Sequence, residues 1–139
     1  MEDLVQILKD IKCLPKDKQE RATNVLNLNQ GSKRELNCVS VALYVWGYSK
    51  SLFLESLEMI NLSLDISRLS RTQSVIVPAA GDLAVFGGSE LEDEHYGIYL
   101  QDNKIFSMLG VGGEILVSSI DEIYHIFNET RVNRVKYIR

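Results

Sequence analysis

Apolar positions in the first half of the chain recur at helical spacing. Leu4, Ile7, Leu8 and Ile11 fall on one face. Pro15 ends that run or starts the next turn. From Asn24 to Lys33 the chain is polar, with Asn27, Asn29, Gln30, Gly31 and Ser32, and reads as a loop. From Cys38 to about Tyr48, Val41, Ala42, Val45 and Trp46 share a helical face, and Gly47 is placed to end it. Ser51 is the expected cap of a short helix carrying Leu52, Leu54, Leu57 and Ile60. The stretch Asp65–Val77 is ambiguous between helix and extended chain. After Pro78 the character changes, and β-branched and aromatic runs are broken by Gly and Asp/Asn turns. The runs predict strands at 82–87, 95–101, 103–109 and 113–118, with Asp102-Asn103 as a tight turn between the second and third. Ser118 or Ser119 then caps a helix over 120–127, and 132–138 closes as a strand. Helices first and an antiparallel sheet of about five strands second make an α+β fold.

The chain has 139 residues, enough for one domain with a real core, and neither a repeat nor a low-complexity segment divides it. A single domain over 1–139 is therefore expected. Lys and Arg number 15 against 19 Asp and Glu, a net charge of −4. That balance argues against a nucleic-acid or anionic-membrane binder, which needs a basic face. Cys13 and Cys38 are too few for a disulfide framework or a zinc quartet, so no metal or other cofactor is expected. Met1-Glu2-Asp3-Leu4 does not open like a signal peptide, and no apolar run nears the ~20 residues that span a bilayer. The expectation is a protein made in the cytoplasm, or exported by a machine that cleaves no signal, without membrane insertion.

Two local frames carry the chemistry. In Asn37-Cys38-Val39-Ser40-Val41-Ala42 a polar turn ends and an apolar helix begins, with the thiol at the junction. Helix-start N–H groups and the helix dipole favour a thiolate there. In Gly81-Asp82-Leu83-Ala84-Val85-Phe86, a gap, then His95-Tyr96-Gly97-Ile98-Tyr99-Leu100, two strands follow each other and His95 opens the second. A histidine on a rigid strand can act as base and then as acid toward a thiol.

Together these frames resemble the NlpC-type cysteine peptidase superfamily, papain-like hydrolases related to the CHAP amidases, over roughly residues 30–118. The resemblance implies a papain-like thiol hydrolase with Cys38 as nucleophile, His95 as base, and Gly81, Asp82 and Leu83 at a strand entry. It implies cleavage of peptide or amide bonds, with a peptide or peptidoglycan-like substrate from the bacterial cell wall. A toxin or effector with a partner or immunity protein is one form of this. A deamidase, protease or acyltransferase acting on a protein, or a non-catalytic binding domain on the same scaffold, are the alternatives. The chain departs from the family where Asn37 replaces an aspartate and where Val39 separates Cys38 from Ser40. The residue that orients the histidine falls twelve positions past His95, on Ser107, where a histidine is typical; Asn103 and Asp102 are the fallbacks. Ser107 can hydrogen-bond the ring but carries no charge.

Plainer roles compete with these. A reduced cysteine often only packs, which is the better reading for Cys13 beside Ile11 and Leu14. His95 could be held by Glu92, Asp93 and Glu94. His125 sits in a charged helix and reads as solvated, Trp46 reads as core, and Gly87-Gly88, Gly110 and Gly112-Gly113 read as turns. The acidic run Glu90–Glu94 reads as a solvated loop.

Overall fold

A computed structural model describes residues 4–88, 95–110, 113–127 and 132–139. The fold is α+β. Helices α1 (Leu4–Asp10), α2 (Lys16–Leu26), α3 (Gln30–Lys33), α4 (Cys38–Trp46) and α5 (Ser56–Leu69) come first, with a 3-10 turn at Ile11–Cys13. Strands β1 (Ser74–Val75), β2 (Leu83–Gly87), β3 (His95–Tyr99), β4 (Lys104–Met108) and β5 (Ile115–Ser119) follow, then helix α6 (Ile120–Ile126) and strand β6 (Arg134–Ile138). Every pairing in the sheet is antiparallel, in the order β1-β6-β2-β3-β4-β5.

Strand alternation divides the core into two layers. Leu83, Val85, Tyr96, Ile98, Phe106 and Met108 join Val41, Ala42, Leu43 and Val45 of α4 in the larger layer. Ala84, Phe86, Tyr99 and Ile105 join Ile123 of α6 in the smaller one. The hairpin between β3 and β4 turns on Asp102 (φ 53°) and Asn103 (φ 61°), as expected of Asx residues in a two-residue turn. Gly47 ends α4 at φ 96°, where a side chain would be strained. Gly97 has a different reason to be glycine: a Cβ there would collide with Ile105 and press on Ser107 of the neighbouring strand.

Four expectations need correction. The polar segment 24–33 is not all loop: α2 runs on to Leu26, and Asn29 caps the short α3 by accepting from the Ser32 N–H. The segment from Asp65 is helical as far as Leu69. Leu62, Leu64 and Ile66 mimic a strand, yet Leu62, Ile66 and Leu69 make a helical stripe against the core. The cap of α5 is not Ser51 but Glu55, boxed with Glu58. The sheet gains a sixth member, the two-residue edge strand β1, too short to leave a period in the sequence. Among the described residues no helix is long and apolar enough to cross a membrane.

Candidate active site

Cys38 is the first residue of α4, and the sequence around it builds a firm helix start. The Asn37 side chain accepts from the Ser40 N–H at 2.9 Å, and Ser40 Oγ accepts from the Asn37 N–H at 3.0 Å. This closed capping box explains both departures from the family pattern: Asn37 caps as well as an aspartate does, and Ser40 needs its N3 position to answer it. Asn37 Nδ2 also donates to Met59 Sδ at 3.0 Å, tying the helix start to α5. The thiol is thereby held, half-buried, at the positive end of a nine-residue helix.

His95 opens β3 and is 1% exposed. Its register partner across the β2–β3 ladder is Phe86, whose ring centroid is 5.7 Å from the imidazole. Phe127, just past α6, covers the ring at 5.0 Å. Nε2 is 3.0 Å from Ser107 Oγ on β4. The expected orienting contact between His95 and Ser107 is thus formed, and both are buried. Nδ1 is buried and has no hydrogen-bond partner among the described residues. Burial pushes the imidazole pKa down to about 4, so the ring is neutral at physiological pH.

Strand β3 turns His95 away from the layer that holds α4. Tyr96 and Ile98 face α4, whereas His95 joins Phe86 and Ser107 on the side of α6. The thiol and the imidazole share one end of the sheet. Val39, next to Cys38, lines a cleft with Val85 and Tyr96, one rung from His95.

The remaining candidates take structural parts. Cys13 is half-buried against the core; its thiol donates to the Asp10 carbonyl at 3.4 Å, and burial pushes its pKa up. His125 is exposed on α6. Trp46 packs half-buried on the core, with the Lys18 ammonium 5.9 Å from its ring. Asp82 is buried and serves the fold: it accepts from Arg139 Nε at 3.0 Å and Nη2 at 2.9 Å, and from the Ala79 N–H at 2.7 Å. Asp102 and Asn103 shape the hairpin turn. Glu90, Glu92, Asp93, Glu94 and Gly112 lie outside the described residues.

Sequence reasoning missed the two aromatic walls of His95. Phe86 could have been found from the β2–β3 hairpin, because both residues occupy the same face at the same end. Phe127 follows a helix end and carries no periodic signal. No family model matches the chain, and no curated protein matches it.

Proposed function

We propose that this protein is a papain-like, cysteine-dependent hydrolase that cleaves peptide or amide bonds, with bacterial cell-wall peptide as the substrate class. One observation carries the reading. The imidazole is oriented through Nε2 by Ser107, and its other nitrogen is kept buried without a partner, at the end of the sheet where a capped helix presents a thiol. A buried ring nitrogen without a partner is costly and calls for a role. In the reaction, Nδ1 takes the proton of Cys38, and the thiolate attacks the carbonyl carbon. Helix-start N–H groups stabilise the oxyanion. The Nδ1 proton passes to the leaving amine, and water then cleaves the thioester. The step requires His95 to leave its place on the α6 side of the sheet, where it packs with Phe86 and Phe127.

The near-complete burial of His95 favours a second reading, a binding domain that keeps the scaffold and does not cut. Incubation with isolated peptidoglycan and with a panel of unstructured protein substrates separates the two. The hydrolase reading expects new amino termini with wild-type protein and none with Cys38→Ala. Release from peptidoglycan alone fixes the cell-wall substrate, and release from protein alone makes it a protein-directed enzyme. Identical outcomes for wild type and Cys38→Ala on every substrate leave the binding domain.

A further inference from the structure

A cleft of about 610 Å³ lies between α5 and the strands β2, β3 and β6, on the larger-core side of the sheet. Its volume is that of a small-molecule or short-peptide site. One wall, on α5, sets Ile60 and Leu64, 58% and 54% exposed, among Ser63, Ser67 and Ser70. The other wall carries Arg134 and Lys136, two residues apart on β6 and therefore on one face. Among the described residues no Asp or Glu lines it, although the chain as a whole is acidic. Arg134 is aimed by its Nε, which donates to the Gly88 carbonyl at 3.2 Å. Its Nη1 is buried and has no hydrogen-bond partner among the described residues. Among the described residues neither Arg134 nor Lys136 is in an ion pair.

A guanidinium with a buried, unused N–H, a second cation beside it and the apolar side chains of the opposing wall make a receptor for an amphiphilic anion. We infer that this cleft binds a short peptide that combines an apolar side chain with a carboxylate. The side chain lies on Ile60 and Leu64, and the carboxylate takes Arg134 and Lys136. The guanidinium fork matches the planar carboxylate, and the lysine adds a point charge. Because the cleft begins at Val39, it serves as the substrate-anchoring subsite under the hydrolase reading. Binding itself does not rest on that reading, since equilibrium affinity requires no turnover.

The test uses Cys38→Ala protein, so that binding is measured whether or not the wild type cuts. N-acetyl-Leu-Glu and the neutral N-acetyl-Leu-Gln-amide are titrated against ¹⁵N-labelled protein, following the backbone amides of α5 and β6. The acidic peptide is expected to shift amides of both elements and to saturate. The neutral peptide should bind at least about tenfold more weakly, the loss expected for charge-assisted hydrogen bonds. Arg134→Gln should weaken the acidic peptide by a similar factor. If that variant fails to fold, the charge reversal Lys136→Glu at an exposed position must produce the loss. Equal affinity for the two peptides, shifts confined to other elements, or no shifts in the low-millimolar range overturns the inference.

Discussion

His95 is where burial, charge and chemistry meet. Its pKa of about 4 against an ordinary 6.5 has a thermodynamic consequence. Between those values the unfolded chain binds a proton that the folded ring refuses, so stability falls as pH drops through that window and is complete above it. The whole gap amounts to ~3 kcal/mol. Urea unfolding from pH 7 to pH 4 should show this loss, and a folded His95→Gln variant should lack most of it; a flat profile in the parent would mean that the ring is hydrated. Ser107 is the residue to vary for orientation. Ser107→Ala removes the 3.0 Å partner of Nε2. It should lower turnover by roughly tenfold to a hundredfold, as lost orienting partners do. Leaving Nε2 buried without that partner should also cost about 1–3 kcal/mol of stability. Cys38 should alkylate faster than Cys13 at neutral pH, because burial raises the Cys13 pKa and a helix start favours the Cys38 thiolate. Peptide mapping after brief iodoacetamide exposure reads this, and equal labelling contradicts it.

At the scale of elements, α4 and β3 decide whether the site exists. The capping box at Asn37 and Ser40 sets where α4 starts. Asn37→Ala should cost ~1 kcal/mol in denaturant unfolding. It should also slow Cys38 alkylation, since the thiol loses its fixed place at the helix end. A stability loss without a change in labelling would show that the cap serves the fold alone. Much of this was legible in the sequence. Asn37-Cys38 followed by Val41, Ala42 and Val45 marked the helix start, and Asp102-Asn103 marked the hairpin. What stayed hidden has physical causes. Leu62-Ser63-Leu64-Asp65-Ile66 alternates like a strand because α5 bears two apolar stripes, one packed on the core and one exposed along the cleft. The face on which His95 lies depends on strand parity, and a one-residue difference in register reverses it.

For the whole molecule, the sheet separates two layers that the proposed hydrolase would have to join. The larger layer holds α4 and the cationic cleft; the smaller holds the His95–Ser107 pair beneath Phe86 and Phe127. That the chain would be α+β followed from the change near Pro78 from helical runs to β-branched and aromatic runs between turns, a global property of the sequence. Which layer would receive each functional side chain required the fold itself. The account therefore stands on communication between Cys38 and His95 across one end of the sheet, and the alkylation rate of Cys38 measures it directly. Iodoacetamide labelling of Cys38 at neutral pH should slow about tenfold in His95→Gln, the scale of lost base assistance, and stay unchanged in His125→Ala. Identical Cys38 labelling rates in the parent and in a folded His95→Gln variant would contradict the account.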